Sequence, residues 1–153
     1  MFWTSRTVTD MPYDLYGHWK EPKVTGFVYV LLFPSGETYV GYTTQTLEQR
    51  WNNGKAYIYA SNKWMRQAVI ETPWDRIKKY AVHIADEKHG WFAESLLIAA
   101  LNSVKEGLNV SEGHFAKAVN KTSAQNFIKR YPKINDLYRC VLREKDAIQW
   151  KEK

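Results

Sequence analysis

The glutamate at position 94 interrupts a helical stripe that is otherwise apolar, formed by Trp91, Leu97, Ile98 and Leu101. Withdrawing an ionised carboxylate from water is costly unless a cation or firm hydrogen bonds compensate. Two readings follow. Either Glu94 sits at the rim of the stripe and reaches solvent or a nearby Lys or Arg, or it lies at the bottom of a cleft as a metal ligand. In the second case it is one of the few inward oxygens that a Mg²⁺ site needs when substrate phosphate and water supply the rest. Tyr29 and Tyr39 pose a similar choice. Tyrosine favours strands, and two of them on paired strands commonly serve cross-strand packing; the alternative is two phenols aimed at one region. Arg50, taken alone, reads as a solvated helix residue.

The elements that must position these groups follow from local pattern. From Gly26, Phe27, Tyr29 and Leu31 alternate with Val28, Val30 and Leu32, so both faces are apolar and the strand is central. Phe33-Pro34-Ser35-Gly36 supplies a tight connection with a glycine able to take positive φ, and ETYVGYT returns as the second arm of a hairpin. Thr46 followed by Gln49 resembles a capping box, opening a short helix on which Leu47 and Trp51 share a face and Arg50 sits beside it. Residues 62–71 read as a second helix, begun by Asn62 and stopped by Thr72-Pro73. KKYAVHIAD alternates as a third strand, and WFAESLLIAALNSV carries the stripe that contains Glu94. The expected fold class is α/β of the α+β type: a small three-stranded sheet flanked by helices, with a C-terminal basic helical extension.

With 153 residues the chain has room for one core without disulfides, and its single cysteine, Cys140, and four histidines show no zinc-ligand spacing. The apolar runs are short of membrane-spanning length and no secretory leader is evident, which implies a soluble, cytoplasmic protein with no membrane partner. The charge is unevenly placed. Residues 1–112 hold 12 Lys and Arg against 12 Asp and Glu, whereas residues 113–153 hold 10 against 4, so the whole net charge of +6 sits in the tail. That is the electrostatic footprint of a segment lying on phosphates, although a basic tail also serves solubility. Lys117, Lys121, Lys129, Arg130, Lys133, Arg139 and Arg143 are the candidate DNA contacts. Ser123 reads as the N-cap of a helix ended by Pro132, and KINDLYRCVLREKDAIQW as an amphipathic helix beyond it. Three segments result: an aromatic N-terminal arm over 1–23 whose rings pack over the domain edge in preference to stacking on bases, a core over 24–112, and a basic helical extension over 113–153.

In combination, the candidate residues resemble the GIY-YIG nuclease superfamily over residues 24–112. The Gly-Ile-Tyr motif appears as Phe27-Val28-Tyr29, preceded by Gly26, and the Tyr-Ile-Gly motif as Tyr39-Val40-Gly41. The family's helix arginine matches Arg50, its metal-binding glutamate Glu94, and its late asparagine Asn109 in GLNVSEG, fifteen residues on. This order and spacing is similar to homing-endonuclease members. Four residues after the arginine, where members carry a histidine or tyrosine, the chain has Gly54; Tyr57, from a longer loop, is the candidate replacement.

The resemblance implies metal-dependent hydrolysis of phosphodiester bonds in double-stranded DNA, by an enzyme of a phage or mobile element acting inside a bacterial cell. The implied roles are Tyr29 orienting or deprotonating the water with Tyr39 in support, and Arg50 favouring phenolate and holding two phosphate oxygens with its fork of donors. Glu94 would hold one Mg²⁺ or Mn²⁺, and Asn109 would fix the glutamate or the phosphate. One centre per chain makes a monomer a nicking enzyme. An inactive DNA-binding module of the same fold and an RNA-binding protein are the alternatives.

Overall fold

Strands apolar on both faces need cover on both faces, and the chain supplies helices for each. The structure, a computed structural model, describes residues 26–85, 87–109 and 120–151. The N-terminal arm and Lys117 lie outside the described residues. Strand β1 (Gly26–Leu32) is central in a three-stranded antiparallel sheet, flanked by β2 (Thr38–Thr43) on one side and β3 (Lys78–Ile84) on the other. The register pairs Tyr29 with Gly41 and with Ala81, and Leu31 with Tyr39 and with Lys79. The hairpin closes through Gly36 N–H to Phe33 C=O at 2.9 Å.

One face of the sheet, bearing Tyr29, Leu31 and Ala81, is covered by α1 (Leu47–Trp51), α2 (Lys55–Ile58) and α3 (Lys63–Glu71), which bury Leu47, Trp51, Tyr57, Met65 and Val69 against it. The capping box at α1 is complete: Gln49 N–H donates to Thr46 Oγ1 and Thr46 N–H to Gln49 Oε1. Asn62 caps α3 by accepting from Met65 N–H at 3.1 Å.

The other face, bearing Val28, Val30, Val40, Val82 and Ile84, is covered by α4 (Glu87–Leu101), α5 (Lys121–Phe127) and α6 (Pro132–Lys151). Three expectations change here. Helix α4 buries Ala93, Ser95, Leu96, Leu97, Ile98, Ala100 and Leu101, more than a single stripe, because α5 packs on the side that the sheet leaves uncovered. The basic extension is also more than an appendage: Ala124, Ile128, Ile134, Leu137 and Val141 are fully buried in the same core as the strands. Ser123 is not the N-cap of α5. Asn120 is, its Oδ1 accepting from Ser123 N–H at 2.8 Å. Pro132 opens α6, where its fixed φ and missing N–H are tolerated. No helix among the described residues is long and apolar enough to cross a membrane.

Candidate active site

The hairpin register sets Tyr29 opposite Gly41, and the ring of Tyr29 occupies the space that a side chain at 41 would need: a Cβ there would lie 2.4 Å from Tyr29 Cζ and Oη. Folded over its partner strand, the Tyr29 phenol ends among α1 and α2. Its oxygen lies 2.8 Å from Tyr57 Oη and accepts from Arg50 Nε at 3.2 Å. Arginine can only donate, so Tyr29 is the acceptor in that bond, while either phenol supplies the proton of the other. The Arg50 guanidinium stands 5.3 Å from the Tyr57 ring centroid, and Tyr39 sets its ring edgewise to Tyr57 at 5.7 Å.

Tyr57 reaches this cluster because the chain turns left-handed over three consecutive residues. Asn52, Asn53 and Gly54 have φ of 44°, 55° and 88°, a left-handed run that asparagine tolerates and glycine adopts freely. The run ends α1 and turns α2 so that Tyr57 points inward. Gly54 cannot take the place of a phenol, since a Cβ on it would meet the Trp74 ring at 2.8 Å. Tyr57 is the residue that fills this space.

Behind the phenols stands a second tier that sequence pattern left unassigned. Trp51 meets Tyr29 edgewise at 5.4 Å, and Trp74 packs against Trp51 at 5.8 Å and Tyr57 at 6.3 Å. Lys79 fastens Trp74: its buried Nζ donates to the carbonyls of Trp74 at 2.7 Å and Ile77 at 2.6 Å and lies 4.6 Å from the Trp74 ring centroid. Burial lowers its pKa, partly opposed by Asp75. The one available signal was a lysine at an inward position of an alternating strand.

Glu94 approaches from the opposite side of the sheet, since α4 covers the other face, but it reaches around the outer edge of β2. That edge is free of strand partners, and Thr38, Val40 and Tyr42 turn their backbone groups toward it. The Glu94 carboxylate accepts from the Tyr42 backbone N–H. Burial pushes its pKa up to about 7, against the pull of that hydrogen bond and of the Arg50 charge. Its own charge acts on Tyr29 and Tyr39. The carboxylate, the guanidinium and the phenols therefore meet electrostatically at one corner of the sheet.

Burial raises the pKa of Tyr29 despite Arg50 beside it, and the phenol is fully enclosed, so a resting phenolate is disfavoured. Tyr39 and Tyr57 are also held well above the usual phenol range by burial. Half-buried Tyr39, Arg50 and Glu94 form the accessible rim. Asn109 is engaged with the sheet edge and not with Glu94. Its Oδ1 accepts from Val40 N–H at 2.8 Å and its Nδ2 donates to Val40 C=O at 2.9 Å, so the whole amide completes the edge of β2 beside Leu108 N–H, which donates to Thr38 C=O at 2.9 Å.

Of the candidate DNA contacts, Lys121, Lys129, Arg130, Arg139 and Arg143 are exposed on the outer sides of α5, α6 and the turn between them, and Lys133 is half-buried. Among the described residues, no group of three or more His, Cys, Asp or Glu clusters as a metal centre. Comparison of the chain with models of known protein families, with curated proteins and with solved structures gives no match.

Proposed function

We propose that this α+β protein is a GIY-YIG-type endonuclease that hydrolyses phosphodiester bonds in double-stranded DNA with Mg²⁺ or Mn²⁺, and that it serves a phage or mobile element within a bacterial cell. The observation that carries this reading is the convergence of Arg50 and Tyr57 on the oxygen of Tyr29, with Glu94 brought round the sheet edge into the same electric field. Cross-strand packing alone needs no guanidinium inside the phenol cluster. Burial and the hydrogen bond from Tyr42 set Glu94 apart from a freely solvated rim glutamate.

A divalent cation fits the donor set. Glu94 is a desolvated carboxylate whose ionised form lacks sufficient compensation from one backbone N–H and a nearby Arg, and one such ligand suits Mg²⁺, which keeps several waters and binds substrate phosphate. When bound, the cation supplies charge withdrawal from the phosphate and the leaving oxygen. Arg50 is anchored through Nε on Tyr29 and also meets the Tyr39 phenol, and its fork of donors is the group that would hold phosphate oxygens and stabilise charge that develops there. Tyr39, neutral and at the rim, orients the attacking water through Oη, and the proton that water loses passes to bulk solvent at this open rim. Tyr29 and Tyr57 position Arg50 from behind. Their neutral phenols fix geometry and do not take the proton.

Supercoiled plasmid tests the reading. With Mg²⁺ the chain should convert it to nicked circles, and Glu94→Ala should abolish nicking while DNA binding persists. Binding of duplex without any nicking by the wild type would instead make the chain an inactive DNA-holding module of this fold. Preferential binding of single-stranded RNA would reassign its partner.

A further inference from the structure

Between Gln49 and Ile70 the sequence holds four cations, Arg50, Lys55, Lys63 and Arg66, and no Asp or Glu. The same stretch exposes two large rings, Tyr59 at 91% and Trp64 at 62%. Rings left in water on a frayed loop would carry little meaning, but this loop is well fastened. Arg66 Nη1 donates to Ala60 C=O at 3.1 Å, Ala60 N–H to Tyr57 C=O at 3.2 Å, and Asn62 Nδ2 to Leu108 C=O at 2.7 Å. The rings are therefore held outward by ordered backbone. Tyr57 points inward onto Tyr29, Tyr59, two residues later at the end of α2, is exposed, and Trp64 is exposed in the first turn of α3. Lys63 Nζ stands 5.1 Å from the Trp64 ring centroid, so one ring already carries a cation at its face.

We propose that Tyr59 and Trp64 form a stacking surface for unpaired bases of the DNA substrate, with the exposed Lys55 and Lys63 on its phosphates; this rests on the nuclease reading and adds a preference within it. Every base has a π-face on which an aromatic side chain stacks, and cations beside the rings follow the backbone. In an intact duplex those faces are occupied by neighbouring bases, so the surface engages DNA with a bulge, gap, flap or end near the scissile bond. The exposed Lys55 and Lys63 argue for nucleic acid over a protein partner, because lysine is depleted at the centre of protein interfaces.

Two duplexes of the same sequence separate the possibilities, one fully paired and one with a two-nucleotide bulge carrying 2-aminopurine, titrated with full-length protein in EDTA. Wild type should bind the bulged duplex ~10-fold or more tightly per stacked base and quench 2-aminopurine. The Tyr59→Ala/Trp64→Ala variant should bind both duplexes alike at an unchanged melting temperature and should still nick plasmid. Equal binding of the two duplexes by wild type, or a preference that survives the double substitution, overturns the proposal. So does a variant whose self-association in sedimentation changes while its DNA preference does not. Plasmid nicking separates this outcome from the parent reading. Nicking without a bulge preference removes only the stacking surface, whereas a preference lost with the two rings in a chain that never nicks removes only the nuclease.

Discussion

The ring of Tyr29 fills the space above Gly41, its register partner on the neighbouring strand, and a methyl group at 41 would stand 2.4 Å from the phenol. The glycine that closes the second motif is thus a steric requirement of the tyrosine that closes the first. Gly41→Ala should cost ~1–3 kcal/mol, as overpacking of a filled core does, and should also displace Oη from Arg50. Chemical denaturation reports the first effect and plasmid nicking the second. An alanine variant with wild-type stability and rate would show that the ring moves aside without consequence.

Tyr29→Phe and Tyr57→Phe each delete one hydroxyl of the buried pair and leave the other phenol short of a partner, and Tyr29→Phe also removes the acceptor of Arg50 Nε. Each should lose ~1–2 kcal/mol of stability. Because the two hydroxyls share one bond, the double variant should lose less than the sum of the singles, and that non-additivity is the check. Nicking should fall further for Tyr29→Phe, since Arg50 is hydrogen-bonded to Tyr29 and only adjacent to the Tyr57 ring.

The hairpin, the capping box at Thr46, the Asn62 cap and the third strand were legible because each is written in neighbouring residues, as alternation, a three-residue spacing or a proline stop. The convergence of Tyr29 and Arg50 is legible only as matched positions, and Tyr57 only as a phenol near a position where the match fails. What was not legible depends on contacts distant in sequence. Asn109 meets Val40 across 69 residues, and nothing local marks its amide as an edge cap instead of a ligand. The fate of the Tyr29 phenol turned on the balance between burial and the Arg50 charge, which residue type alone leaves open. The tail reads as a basic surface in sequence, yet its apolar stripe of Ile134, Leu137 and Val141 is committed to the sheet.

For Asn109 the consequence is specific. Asn109→Ala should cost ~2–3 kcal/mol by removing two bonds from a buried strand edge. Asn109→Asp should be no better, because a carboxylate can accept from Val40 N–H but faces Val40 C=O with a second acceptor. Both should nick normally at a temperature where they remain folded. A loss of rate in fully folded protein would return Asn109 to direct contact with phosphate.

Glu94 should write itself into the pH dependence of stability. Its folded pKa, about 7, lies above its ordinary value of 4.5, so the folded chain holds this proton more tightly than the unfolded chain. Its contribution is then fully present below about pH 4.5 and is lost as pH rises through 7. Glu94→Gln keeps a neutral group throughout, so relative to it the wild type should lose on the order of 1–3 kcal/mol across that window. Above pH 7, Mg²⁺ should raise the melting temperature of wild type and leave Glu94→Gln unchanged, since a ligand stabilises only the state that binds it. Parallel melting curves for the two proteins from pH 5 to 8 would place Glu94 in solvent.

The C-terminal helices call for a test of charge and not of length. Truncation after Glu112 would remove Ala124, Ile128, Ile134, Leu137 and Val141, all fully buried against the sheet, and should leave an unfolded chain whose failure to bind DNA says nothing about phosphate contacts. Neutralising Lys129, Arg130, Arg139 and Arg143 to glutamine changes only exposed positions and should leave the melting temperature within a few degrees. If these cations lie on DNA, each one that contacts a phosphate should reduce the slope of log affinity against log salt by ~0.9, with binding weakened alike for every duplex sequence. A fourfold variant with an unchanged slope would mean that the positive face of α6 serves solubility, and would leave affinity to Arg50 and the cations around α2 and α3.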